Sequence, residues 1–91
     1  MKVKNEILKQ MRIYSGKTVA ELSACIRLTT SYIERLEAGN VENLDYIYPK
    51  YATALRVKEG SIKRIIFVAE KECWDSERIK TEVIRMLEGM W

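Results

Sequence analysis

Between Gly16 and Gly39 the chain carries two short runs of helical periodicity, each opened by a threonine, and this 24-residue stretch constrains the fold more than any other feature. Thr18-Val-Ala-Glu21 has the capping-box pattern, in which the threonine hydroxyl accepts from the Glu21 amide and the Glu21 carboxylate reaches back. It opens a helix over Val19–Ile26 whose inward positions are Val19 or Ala20, Leu22 and Ile26. A second helix follows Thr29 and runs to Glu37 with Ile33 and Leu36 inward, and Gly39 stops it. Two amphipathic helices this short cannot bury their apolar stripes alone, so the flanking segments must cover them.

Those segments read as helices too. Ile7, Leu8, Met11 and Tyr14 place an apolar stripe on a helix of about Asn5–Ser15, with Asn5 as its cap and Gly16 as its stop. Leu44, Ile47, Tyr51 and Leu55 keep helical spacing over Asn43–Leu55, but Pro49 lacks the amide that would bond to the Asp45 carbonyl. The expectation is either a kink or a helix that starts near Tyr48. Ile62, Ile65, Ile66 and Ala69 define a helix over Ser61–Lys71 capped by Ser61. Ile79, Val83, Met86 or Leu87, and Met90 define a last one over Ser76–Glu88, with Gly89 beyond it. One Pro and four Gly in 91 residues favour long helical runs over a turn-rich β-sandwich, and the length fits one domain. The expectation is an all-α chain: a five-helix domain over 1–71 and a C-terminal helical extension over 72–91.

Charge and composition narrow the chemistry. The net charge of +3 hides two blocks of +4, residues 1–36 and 46–71, around an acidic connector of −3 at 37–45 and before a tail of −2 at 72–91. Two basic blocks fit a basic face for a polyanion such as nucleic acid. With no His the chain lacks an imidazole base, a Ser-His-Asp or Cys-His pair and a His-ligated zinc site. Cys25 and Cys73 lie 48 residues apart and form no CxxC motif; they read as core or near-core thiols of a reducing compartment. With no glycine-rich phosphate loop, an enzyme is not expected, nor a metal or cofactor. No run approaches 18 apolar residues and no secretory signal is visible, so a cytoplasmic protein without a membrane span is expected.

The stretch from Gly16 through Thr18, Leu22, Ile26, Leu28, Thr29-Thr-Ser-Tyr-Ile33 and Leu36-Glu37-Ala-Gly39 resembles the helix-turn-helix of the lambda-repressor-like family, the Cro/CI or Xre type. Arg12 sits where that family places an arginine that pairs with the glutamate of the ending. Ala52-Thr-Ala-Leu55-Arg-Val57 resembles the end of its fourth helix, so the likeness covers about residues 5–66. Three positions depart from the pattern. Val19 replaces a glutamine that touches DNA phosphate, Ser23 replaces the small residue within helix two, and Arg27 replaces the glycine of the turn.

The resemblance implies a transcriptional regulator of phage, plasmid or bacterial type, with repressor the expected sense, that puts the helix after Thr29 into the major groove of double-stranded DNA. On that helix Thr30, Ser31, Tyr32, Glu34 and Arg35 would meet base edges, Arg35 as the residue suited to bidentate contact with guanine. Lys17, Thr18, Arg27, Thr29 and Asn40 would meet phosphate, aided by the amides and dipoles at the helix starts. Bland alternatives stand beside these roles. Arg35 could pair with Glu34 or Glu37, Tyr32 could simply cover the turn, and Lys2 and Lys4 could be a solvated end rather than a phosphate-tracking arm. Glu34, Glu37 and Glu42 oppose a phosphate wall, although Glu34 could accept from a cytosine amino group.

The last twenty residues admit two readings. Ile79, Val83, Met86, Leu87 and Met90, with Trp74 and Trp91, could fold back and complete the monomer core. They could instead form a self-complementary surface, giving a homodimer on a palindromic operator with recognition helices ~34 Å apart. A protein-binding antitoxin, anti-repressor or accessory factor on the same fold is the alternative function, and the acidic tail would suit it.

Overall fold

The computed structural model describes residues 2–91 and places six helices in them: α1 (Val3–Tyr14), α2 (Val19–Ile26), α3 (Thr30–Glu37), α4 (Tyr48–Leu55), α5 (Glu59–Lys71) and α6 (Ser76–Leu87). No strand is present among the described residues. The start of α2 follows the sequence pattern: the Glu21 amide donates to Thr18 Oγ1 at 3.1 Å and the Thr18 amide donates to Glu21 Oε1 at 2.9 Å. α1 and α3 both end in the glycine-closed motif, with Gly16 (φ +77°) and Gly39 (φ +92°) in the left-handed region that only glycine enters freely. The Asn40 amide then donates to the Arg35 carbonyl, and the Lys17 amide to that of Arg12.

α1 is the centre of the bundle, packing on α3, α4, α5 and α6, while α2 packs on α3 and α4. One continuous core joins Ile7, Leu8 and Met11 of α1, Leu22 of α2, Ile33 and Leu36 of α3, Tyr51 of α4 and Ile62 and Ile65 of α5, all fully buried. The Cα radius of gyration of 11.9 Å matches the ~12 Å of a compact domain this long, so no element projects from the body.

Five expectations need correction. Tyr14 does not continue the buried stripe of α1; it is 44 % exposed near the end of the helix. Asn5 does not cap α1; it lies inside the helix, 2 % exposed, and its Nδ2 donates to the carbonyls of Leu36 (2.7 Å) and Val41 (2.9 Å). An asparagine buried there satisfies carbonyls at the end of α3 that apolar neighbours would leave unpaired. α5 starts at Glu59 without a side-chain cap, so Ser61 is within the helix rather than ahead of it. Cys25 and Cys73 are both exposed rather than near the core. Of the five residues assigned to dimerisation, Ile79 and Val83 are fully buried and Met86 is 5 % exposed, because α6 folds back onto α1 and α5. Leu87 is half-buried, and only Met90 is exposed. The division at residue 71 therefore separates two parts of one core.

Pro49 falls in the first turn of α4, where its missing amide costs nothing, and the helix starts at Tyr48 without a kink. Burial pushes the hydroxyls of two tyrosines of this helix above the ordinary value near 10, Tyr48 up to about 12 and Tyr51 further, the latter also because the Glu37 carboxylate lies beside it. Both phenols fold in the neutral form, so their contribution to stability is complete below pH 10 and declines as the pH rises beyond it. The fully buried Tyr51 phenol adds a loss of up to about 1.4 kcal/mol per pH unit, and the less buried Tyr48 adds less. Chemical denaturation between pH 8 and 11.5 should show this decline, and Tyr51→Phe should make it shallower. An equal slope in the variant would exclude Tyr51 as its source.

Candidate nucleic-acid interface

α3 turns Ile33 and Leu36 into the core and leaves Thr30, Ser31, Glu34 and Arg35 exposed, with Tyr32 half-buried between the faces. The side chains assigned to base contact therefore share the outward side of one eight-residue helix. Its start is fixed by Thr29, whose Oγ1 accepts from the Tyr32 amide at 3.1 Å. The hydroxyl protons of Thr29 and Thr18 stay free to donate outward, since each threonine oxygen is used as an acceptor. Asn40 gives its amide to the end of α3 and keeps an exposed side chain.

The turn between α2 and α3 runs without glycine. Arg27 takes the left-handed conformation (φ 58°, ψ 37°) at the end of α2, its amide bonded to the Ser23 carbonyl. A side chain there is uncommon and costs strain. The Ser23 hydroxyl donates to the Leu28 carbonyl across the same turn, so Ser23 helps to close the turn. Arg27 itself is exposed, as Lys17 is in part.

Arg35 joins no ion pair among the described residues; its guanidinium lies 5.9 Å from the centroid of the Tyr32 ring. Glu37 is unavailable to it. Both oxygens of that carboxylate are held by Arg12, at 2.9 Å from Nε to Oε2 and 2.9 Å from Nη2 to Oε1, and Tyr51 donates to Oε2 at 3.0 Å. The third arm of Arg12, Nη1, donates to the Lys17 carbonyl at 2.8 Å. Glu37, one of the three acids that oppose a phosphate wall, is thus neutralised inside the fold, while Glu34 stays exposed. Lys2 pairs with Glu42 at 3.1 Å on the surface, which draws the start of the chain to the α3–α4 loop.

Three residues of this face escaped the sequence reading. The Tyr46 hydroxyl lies 3.1 Å from that of Tyr32, and this bond is the main cause that raises the Tyr32 phenol above its ordinary range. Tyr46 carries no periodic signal because it lies in the irregular approach to α4. Lys50 of α4 and Arg56 beyond it line the same groove as Lys17 and Arg27. Only the packing of α4 on α2 brings these four cations together.

Two consecutive helices joined by a tight turn, the second with an exposed polar face and braced by a third, define a helix-turn-helix protein. The family model described as a helix-turn-helix domain matches residues 7–62, from within α1 into the first turn of α5. The chain belongs to that family. No curated protein and no solved structure matches it. Among the described residues no helix is long and apolar enough to cross a membrane.

Proposed function

We propose that the chain is a sequence-specific regulator of transcription of the Cro/CI (Xre) type, which binds double-stranded DNA and reads the major groove with α3. The observation that carries this reading is the unpaired Arg35 guanidinium on the outward side of α3, 5.9 Å from the centroid of the Tyr32 ring and flanked by Ser31 and Glu34. Thr30, Ser31, Tyr32, Glu34 and Arg35 read bases; Lys17, Thr18, Arg27, Thr29 and Asn40 position the domain on phosphate. Arg27 lies at the opposite end of α2 from Val19, so it adds a phosphate contact there, and Lys17 supplies the charge beside Val19. The regulator works in the cytoplasm and, with repression as the expected sense, acts by occupying its operator.

A net charge of +3 gives one domain modest affinity, so occupancy of a palindromic operator calls for two copies. Ile79, Val83 and Met86 are committed to the core, which leaves the exposed Met90 and the half-buried Leu87 of the original dimer set for such a contact. Exposed Phe67 favours a second reading, an accessory factor or antitoxin that holds a protein partner.

Selection from random DNA followed by titration tests the function. Arg35→Ala should weaken the selected site roughly 5- to 150-fold, equivalent to about 1–3 kcal/mol, and relax one base position, while random duplex binding changes little. Unchanged affinity and base preference would remove Arg35 from the reading. A wild-type affinity that does not fall with salt would remove DNA binding itself.

A further inference from the structure

The α2–α4 groove is lined mainly by cations and apolar residues. Its volume is about 680 Å³, within the ~300–1,000 Å³ of small-molecule sites. Four cations line it, Lys17, Arg27, Lys50 and Arg56, and no carboxylate does. Among the described residues none of the four belongs to an ion pair, and although Lys4, Lys9, Arg35, Lys58, Arg64 and Lys71 are unpaired as well, only these four are gathered in this concavity. Arg27 and Arg56 are two of three non-glycine residues with positive φ, each at the end of a groove helix. The apolar part of the lining is Ile26, Pro49 and Ala54.

We propose that this groove binds a small organic polyphosphate of the nucleotide class. Four unpaired like charges around one concavity repel one another, and a ligand with two or more phosphates removes that repulsion. Arginine forks suit phosphate oxygens through paired N–H groups, and lysines add mobile point charges. The apolar lining selects a ligand with an uncharged body beside its phosphates. Inorganic phosphate has no such body, and Pro49 and Ala54 are the apolar residues open to one, since Ile26 is only 5 % exposed. The deoxyribose of a duplex also carries an uncharged body, so DNA enters the test below as a competitor of ATP. Lys17 and Arg27 are also placed on DNA phosphate by the proposed function, so on that reading ligand and duplex compete for them, while Lys50 and Arg56 belong to the groove alone. If α3 does bind DNA, the groove gives a regulator of this size a place for an effector.

Cys25 is exposed and lines the groove, whereas Cys73 is exposed beyond α5, outside it, so the two thiols form a built-in probe and control. Labelling with the neutral reagent N-ethylmaleimide is followed in Cys73→Ser, where only Cys25 reacts, and in Cys25→Ser, where only Cys73 reacts. ATP should slow the Cys25 reaction at least tenfold at saturation and leave Cys73 unchanged. Adenosine at the same concentration should have little effect, and inorganic phosphate less than ATP. Lys50→Gln/Arg56→Gln in the Cys73→Ser background should raise the ATP concentration for half-protection at least tenfold, with the thermal midpoint measured to confirm folding. Because ligand protection is read first with all four cations present, failure of the double variant to fold leaves that test intact. Equal labelling with and without millimolar ATP overturns the proposal. So does protection matched by sodium sulfate at equal ionic strength. Protection by a DNA duplex but not by ATP also overturns it and assigns the cations to the DNA backbone.

Discussion

A chain ending at Lys71 should show no cooperative melting transition and little helical circular dichroism. The deletion removes Trp74, Ile79, Val83 and Met86, each at most 5 % exposed, and uncovers the sides of α1 and α5 on which α6 lies. At about 1.5–3 kcal/mol per buried side chain, the four residues alone represent roughly 6–12 kcal/mol. A domain of this size has a total stability of roughly 5–14 kcal/mol. The loss is therefore comparable to all the stability available, even before the exposure of α1 is counted. Were α6 only an arm for pairing two copies, residues 1–71 would fold alone and melt sharply, and that outcome would refute its role in the monomer core. Val83→Ala supplies a graded check. Truncating this fully buried side chain should lower stability by roughly 1–3 kcal/mol, measured by denaturant titration, without a dependence on protein concentration.

The part of the fold that follows from local rules was legible in the sequence. The bounds of α2 and α3 follow from Thr18, Glu21, Thr29 and Gly39, because caps are chemistry between residues three or four apart. Pro49 narrows α4 to a kink or a start near Tyr48, and the structure takes the second. Where sequence reading failed, the deciding contact was distant. Asn5 looks like a cap, yet its partners are 31 and 36 residues away, on Leu36 and Val41. Ile79, Val83 and Met86 form an apolar stripe that fits a partner helix or this chain's own α1 equally well, because periodicity records that a face is buried and not against what. Cys25 and Cys73 are apolar enough to be expected inside, but each falls beside a helix end that faces solvent. The candidate site divides in the same way. The outward residues of α3 follow from 3.6-residue spacing, whereas Tyr46, Lys50 and Arg56 join the surface only through the packing of α4.

Glu37→Ala should be among the most destabilising single substitutions in α3, costing roughly 3–5 kcal/mol. The Glu37 and Arg12 side chains are 5 % and 12 % exposed, so neither charge can turn to water when the other is removed. Loss of the carboxylate leaves the guanidinium buried with one remaining acceptor, the Lys17 carbonyl, and leaves the Tyr51 hydroxyl without its partner. For a domain of this length each kcal/mol moves the midpoint by roughly 4–8 °C, so scanning calorimetry should show a fall of at least about 12 °C. Arg12→Ala should cost a comparable amount, and the double variant clearly less than the sum, since each single change already breaks the same network. Removing all three polar partners separates the cost of a stranded charge from the worth of the network. Arg12→Met/Glu37→Leu/Tyr51→Phe should recover much of the stability lost in Glu37→Ala, because replacement of a buried ion pair by apolar side chains is often close to neutral. It should not restore the geometry. One carboxylate ties α3 to α1 through Arg12 and to α4 through Tyr51, and no apolar set fixes those directions as hydrogen bonds do. If α3 reads DNA, the triple variant should therefore melt near the wild type yet discriminate less between cognate and random duplex. A Glu37→Ala midpoint within about 4 °C of wild type would show that the pair is solvated in solution and does not orient the helix.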